Sequence, residues 1–247
     1  MKPGLIVRIV VLVALVAFLV SPQSFAFVFA PLTKNGQPAI YTQNSLLNLT
    51  LSHLLIVAIA TLAASVLAVG LAIVVTRPAG MEFLPLSRMI SNVGQTFPPV
   101  AVLALAVPVL GFGTAPTLVA LFLYGLLPIF ENALTGLTTI SPEIEESARG
   151  TGMTEWQRLT QIELPLALPL ILAGLRLSVT ISIGTATIGS TVAASTLGEA
   201  IIAGLINSNL AFVAQGGLVV GVLAILIYDA LRGLERRIAK QTGMVVR

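Results

Sequence analysis

The chain has 247 residues, of which 56% are hydrophobic and only 9% charged, and its mean hydropathy is +1.01. A soluble domain covers itself with about 25% charged residues, so most of this surface faces something other than water, and a lipid bilayer fits. No cysteine is present, which excludes disulfide and thiol chemistry. One histidine and one aspartate leave little from which to build a metal site.

A helix crosses hydrocarbon in roughly 20 residues, so the length accommodates about six spans. The first apolar run is Ile9 to about Val28, interrupted by Ser21-Pro22-Gln23. Lys2 and Arg8 before it also suit a signal peptide with Ala30 near its cleavage point. The run is long for that, and no clear small-x-small site follows, so it is read as a span. After a polar stretch, Pro31–Ser45, the second span is Leu46–Val75, stopped by Arg77-Pro78 because proline disfavours helix in the residue before it. No charge lies between Arg88 and Glu131, and two spans fit there, Gln95–Leu110 and Thr117–Leu137, around the turn from Gly111 to Pro116. A polar loop, 141–165, precedes the fifth span at about Leu166–Ile188. Gly189–Leu210 is rich in small residues and reads as a short extracytoplasmic or re-entrant helix. The sixth span is Ala211–Tyr228, and a basic tail follows. The domain reading is an N-terminal span and extracytoplasmic segment (1–45), a core (46–230) and the tail (231–247).

Of the 13 Lys and Arg residues, all but Lys34 fall on one side of this alternation. The positive-inside rule then puts both termini and the 141–165 loop in the cytoplasm. The loop contains Glu143, Glu145, Glu146, Glu155 and Glu163, half of the ten acidic residues. Ser141 is placed to cap a first helix, with Pro142 at its first position and acids in its first turn. Gly150 or Gly152 ends that helix. Thr154 and Gln157 form a capping box for a second helix, closed by Pro165. Ile144 and Ala148 share a face of the first helix, an apolar strip for a protein groove.

Glu146-Ser147-Ala148, three residues, Gly152, nine residues, then Ile162-Glu163-Leu164-Pro165 resembles the EAA loop of ABC-importer permeases, with Ser147 standing where that pattern has alanine. The resemblance implies a type I importer fold in which the first loop helix couples to a cytoplasmic ATPase dimer. Coupling would rest on Glu146, Ser147, Ala148, Gly152, Ile162, Leu164 and Pro165. Gly94 to Leu103, Gly111-Phe112-Gly113, Tyr124 to Ile129, Ile183 to Ile188 and Ser195 to Gly198 are similar to permeases of glycine betaine/choline-type osmoprotectant importers, most of all the low-affinity glycine betaine systems of Gram-negative bacteria. The resemblance implies a multi-pass inner-membrane protein working by alternating access, with a second permease subunit, identical or paralogous, and a periplasmic binding protein.

Gln95, Phe97, Pro98, Pro99, Thr185 and Thr187 are the candidate translocation-path residues. Pro98-Pro99, Pro108 and Pro128 are read as lying inside spans, where proline frees carbonyls and kinks the helix. Glu131 and Arg176 are charges near or within spans, functional or interfacial. His53 is read as a packing residue, and Glu199 as an outer-loop charge that could meet a binding protein. No phosphate-binding G-x-x-x-x-G-K-[ST] motif exists, so ATP and Mg belong to the partner ATPase and the chain is not an enzyme. No cofactor, metal or nucleic acid is expected. Trp156 lies in the loop, so an aromatic cage for a quaternary amine would have to draw on Phe97, Phe112 or Phe122. High-affinity capture is therefore expected in the separate binding protein. The rival readings are an importer of another small solute, such as an amino acid, and an ion-coupled secondary transporter. The latter calls for carboxylates at mid-depth, and Glu131 lies near a helix end.

Overall fold

The computed structural model describes residues 3–34 and 36–241. Lys2 and Arg247, both counted in the charge bias, and the end of the 231–247 segment lie outside them. Among the described residues the chain is all helix and turn, with no strand. Four helices are long and apolar enough to cross a membrane, or up to six if two broken helix pairs each count as one span. The helices fall into two compact units. One is 1–59, 98–121 and 180–227; the other is 60–97, 122–179 and 228–247.

The first unit opens with α1 (Pro3–Val20), which bends by 115° into the run Pro22–Leu32 containing the one-turn α2 (Ala26–Phe29). The bend lies where Ser21-Pro22 interrupts the apolar run. Phe18 holds it by packing on Phe25 and Phe29, with ring centroids 5.5 and 5.3 Å apart. The first part of α3 (Leu46–Val75) belongs here, as do α5 (Pro99–Leu110), α10 (Gly198–Ile206) and most of α11 (Leu210–Gln241). Segment 189–210 thus holds a short helix rather than a span. Buried His53 on α3 ties the unit together. Its Nε2 donates to the Ile183 carbonyl at 3.0 Å, and its Nδ1 accepts from the Leu197 N–H at 3.4 Å. These two bonds settle the tautomer and make His53 the packing residue expected.

The second unit is built on close contact. Ala64, Ala68 and Ala72 recur every fourth residue along α3 and are fully buried. They pack with Leu126, Ile129, Phe130 and Ala133 of α6 (Thr114–Thr138) and with Ala167 of α9 (Leu164–Thr185). Stripes of small residues let helix backbones approach where lipid supplies no hydrophobic drive. α4 (Leu84–Thr96) does the same with Ser87, Ser91 and Gly94, all buried, while Met89, Ile90 and Val93 point outward. Gly94 lies directly against the Leu123 backbone, leaving no room for a Cβ.

Three expected boundaries are corrected. Gln95–Leu110 is not one helix: α4 ends at Thr96, Phe97 and Pro98 are extended, and α5 starts at Pro99. Two consecutive prolines push the residues before them out of helix, so Pro98-Pro99 separate helices instead of kinking one. Pro108 and Pro128 do lie inside helices. The fifth span continues past Thr185 as a 3-10 turn, Ala186–Val192. The basic segment after Tyr228 is, through Gln241, the last turns of α11, since nothing between Leu231 and Gln241 stops a helix.

Replacing Gly94 by valine should push α4 off α6 and destabilise the protein by about 1–3 kcal/mol, read as a lower unfolding midpoint in detergent. Alanine at exposed Asn92 should leave the midpoint unchanged.

Candidate functional site

The 141–165 loop forms two helices, α7 (Pro142–Gly150) and α8 (Glu155–Arg158), joined by a glycine turn. Gly152 has φ +80°, its N–H donates to Arg149 O at 2.9 Å, and the Met153 N–H donates to Ala148 O at 3.3 Å. That pair of bonds is a Schellman ending, which needs a left-handed residue where Gly152 stands. The Thr154–Gln157 capping box is present, with bonds of 2.8 and 3.3 Å. Ser141 occupies the N-cap position without capping the backbone. Its hydroxyl bonds the Glu143 carboxylate instead, and Glu143's own backbone N–H together with that hydroxyl hold the carboxyl below its ordinary range.

Pro165 does not close the second helix, contrary to expectation. A π turn at Leu159–Glu163 joins α8 to α9 without a break, and the Leu164 N–H reaches back to Leu159 O. Widening the helix by one residue just before a proline relieves the clash of its ring with the preceding turn. Ile144 and Ala148 line one side of α7 together, as the i,i+4 spacing predicts, though they differ in exposure. Ala148 is buried (4% exposed), whereas Ile144 (41%) and Trp156 (71%) stand out. Ile144, Ser147, Met153 and Ile162 border an open groove of about 440 Å³ on one side of α7. Of the residues marked by the resemblance, Glu146, Ser147 and Gly152 are exposed, and Ile162, Leu164 and Pro165 are half-buried where the loop meets α9.

Beneath the loop lies a charged cavity of about 640 Å³, lined by Arg77, Arg149, Arg158, Glu145, Glu155 and Glu163 among others. Glu145–Arg149 and Glu155–Arg158 are loose pairs at 3.7 and 3.9 Å. Arg77 and Glu163 form the tight one. The two terminal guanidinium nitrogens each donate to a different carboxylate oxygen, Nη1 to Oε1 at 3.2 Å and Nη2 to Oε2, and Glu163 is buried. The two-point geometry is the strongest an arginine makes with a carboxylate. It fixes the end of α3 to the π turn. The sequence marks Arg77 as a helix stop and an inside charge, and Glu163 as a loop acid within the motif, but it does not pair them.

The candidate path residues divide between the units. In the second, the Gln95 amide donates to the Tyr124 carbonyl at 3.1 Å, the group that Pro128 leaves without its helical partner. The Tyr124 hydroxyl in turn donates to the carbonyl of exposed Phe97. Tyr124 is thus the partner that unites Gln95 and Phe97. In the first unit, Pro98 precedes and Pro99 begins α5, which packs on the 3-10 turn that follows Thr185. Thr187 donates to Gly184 O at 2.7 Å. The two charges near spans are paired: Arg88 with Glu131 at 3.0 Å, and Arg176 with buried Glu235 at 2.9 Å, its guanidinium 4.7 Å from the centre of the Tyr228 ring.

Breaking the buried pair by Glu163→Gln should destabilise the protein by about 3 kcal/mol. Arg77→Lys should recover only part of the loss, because lysine cannot bond both oxygens in the same fork. Thermal unfolding in detergent checks both. At Gly152 nothing crowds a side chain, so only backbone strain matters. Asparagine should be tolerated better than alanine and valine least, with a cost of about 1–2 kcal/mol for alanine, measured as loop protection in hydrogen exchange.

Residues 68–240 match the family model described as the binding-protein-dependent transport system inner membrane component. The osmoprotectant import permease protein OsmY of Salmonella typhimurium is 38% identical over 200 residues, covering 81% of this chain and 85% of that protein. The glycine betaine/carnitine/choline transport system permease protein OpuCB of Bacillus subtilis is 37% identical, covering 70% and 83%. The choline transport system permease protein OpuBB of Bacillus subtilis is 38% identical, covering 78% and 88%. Among solved structures, an inward-facing form of the MetNI methionine ABC transporter matches with TM-score 0.68 at 21% identity, covering 76% of this chain and 93% of that one. That likeness establishes the ABC-importer permease fold. With its long apolar helices, this multi-pass chain belongs to the family of inner-membrane components of binding-protein-dependent transport systems.

Proposed function

We propose that the chain is a transmembrane permease subunit of an ATP-driven importer for glycine betaine or a related quaternary-ammonium solute. The observation that carries the reading is the 37–38% identity, over most of both chains, to permeases named for osmoprotectant, glycine betaine, carnitine and choline transport. The family implies an ABC ATPase and a binding protein as partners. We assign the ATPase to the 141–165 loop and a second permease subunit, identical or paralogous, to the membrane. Lysine and arginine placement supports a cytoplasmic loop and termini.

In this reading α7 seats in the ATPase, with Ile144 and Trp156 as apolar contacts inside an acidic surround. ATP and Mg are held by the partner, whose closure moves the loop. The Arg77–Glu163 pair carries that movement from the π turn to the end of α3, and the spans swing between inward- and outward-open forms. Thr185, Thr187, Pro98 and Pro99 remain path candidates in the first unit. Gln95 and Phe97 are candidates in the second, with their contacts to Tyr124 setting their positions.

Reconstitution tests it. With the cognate ATPase and binding protein in proteoliposomes, glycine betaine or choline should stimulate ATP hydrolysis and accumulate inside. Gly152→Asp should abolish uptake and loosen ATPase association while membrane insertion persists. Uptake that survives an inactive ATPase but collapses with the proton gradient would sink the ATP-driven reading. Stimulation by an amino acid alone would sink the substrate.

A further inference from the structure

Glu199 is the sole acidic residue within the first unit; the other acids of the chain all lie in the second. It stands in the first turn of α10, half-buried, and makes no ion pair among the described residues. Its one side-chain hydrogen bond comes from the Asn44 amide to Oε2 at 3.2 Å, which orients the carboxylate and leaves Oε1 free. The dipole of α10 favours a negative charge at this position, and no lysine or arginine among the described residues pairs with it.

The carboxylate borders a cavity of about 280 Å³, close to the lower end of the roughly 300–1,000 Å³ usual for small-molecule pockets. Ile202 and Ile206, three and seven residues beyond Glu199, lie on the same helix face and supply an apolar wall, while Gln43, Ser190 and Asn207 line the rest. Across from them stands Tyr41, nine-tenths buried, whose hydroxyl bonds no group among the described residues. Burial raises the Tyr41 phenol above its ordinary range, and the charge of Glu199 adds to the effect, so the two groups sense each other.

The wall opposite α10 is held firmly. Gln215 accepts the Tyr41 N–H at 3.1 Å and donates to Ala39 O at 2.8 Å; Asn209 donates to Pro38 O at 2.9 Å; Gln37 donates to Asn207 O at 2.8 Å. The Tyr41 ring packs edge-on to Phe212 at 5.4 Å. The segment before α3 is thus pinned along α10 and α11.

We infer that this cavity binds a small organic cation with a methylated ammonium group, its charge against Glu199 and its methyls against Ile202 and Ile206, with the small exposed edge of Tyr41 beside them. An inorganic divalent ion is poorly served, because such ions take six or more oxygens and no group of three His, Cys, Asp or Glu side chains occurs among the described residues. A methylated ammonium needs the opposite: one carboxylate, few hydrogen bonds and much apolar or aromatic surface. The inference rests on the proposed function for its substrate class and adds a low-affinity station to it. A zwitterion such as glycine betaine should bind more weakly than choline, because its own carboxylate is repelled by Glu199.

Ligand-observed NMR with tetramethylammonium on the purified permease–ATPase complex tests the site apart from transport. The wild-type protein should show contact, choline should compete better than glycine betaine, and sodium at the same concentration should not compete. Glu199→Gln should weaken the contact about tenfold, and Glu82→Gln, an exposed carboxylate in the second unit, should not change it. As a check free of variants, tetramethylammonium should slow carbodiimide labelling of Glu199 in wild-type protein, mapped by mass spectrometry. Absence of contact, or contact undiminished in Glu199→Gln, overturns the site. So does a variant that loses binding-protein affinity while keeping the probe, since the carboxylate then belongs to a docking surface. Probe binding in an importer that carries neither choline nor betaine upholds the site and defeats the substrate reading instead.

Discussion

Inside hydrocarbon a backbone N–H or C=O has no water to turn to, so each must find its partner within the protein. The irregular features of this chain follow from that constraint. Pro128 leaves the Tyr124 carbonyl unpaired in α6, and the Gln95 side chain bonds it. Tyr124 repays the exposed end of α4 by bonding Phe97 O through its hydroxyl. Near Pro165 the remedy is different: the helix widens into a π turn, and Leu164 reaches five residues back. In the first unit, Gly113 donates to Val192 O at 2.6 Å, tying the turn after α5 to the 3-10 segment. At Pro128 a side chain, and before Pro165 a change of helix type, completes the backbone that proline disturbs.

The same constraint shapes packing and charge. With lipid as apolar as leucine, helices gain from touching only if they touch closely. Gly174 sits where a Cβ would meet Pro128 O at 2.6 Å, and Gly136 where it would meet Ala167 at 3.0 Å. Buried carboxylates are kept only in company. Glu163 has Arg77 and Glu235 has Arg176, each within hydrogen-bond reach. Removing both members of such a pair can be tolerated, whereas removing one strands a charge.

Much of this was legible in the sequence because it is written in local chemistry. Leu46–Val75 is uniformly apolar and ends before Arg77-Pro78, and the helix has those limits. Thr154 and Gln157 announce a capping box that depends only on neighbours in sequence. The failures come from non-local partners. A proline at 165 reads as a stop unless the π turn before it is known. Pro98-Pro99 in an apolar run look like a kink, yet two successive prolines leave no helical residue between them to bend. Gln95 stood out as a polar residue in an apolar stretch, but its partner, the Tyr124 carbonyl, is visible only once α4 and α6 are packed. Arg77 and Glu163 lie far apart in the chain, and nothing local to either foretells the other.

That pairing bears on how a loop can move spans. Glu145–Arg149 and Glu155–Arg158 are long pairs within single helices, at 3.7 and 3.9 Å, and such pairs contribute little, so they do not hold α7 or α8 to the rest of the protein. The Arg77–Glu163 pair is bidentate and largely buried, and the two elements it joins cannot part without losing both bonds. The loop is therefore soft at its outer helices and stiff at its junction with the membrane helices. A displacement imposed on α7 passes through the Schellman turn at Gly152 and the capping box at Thr154, which hold their shapes through local bonds. It then reaches the π turn, where Arg77 obliges the end of α3 to move with the start of α9. In the proposed reading, softness outside with stiffness inside lets one docking surface drive two spans at once.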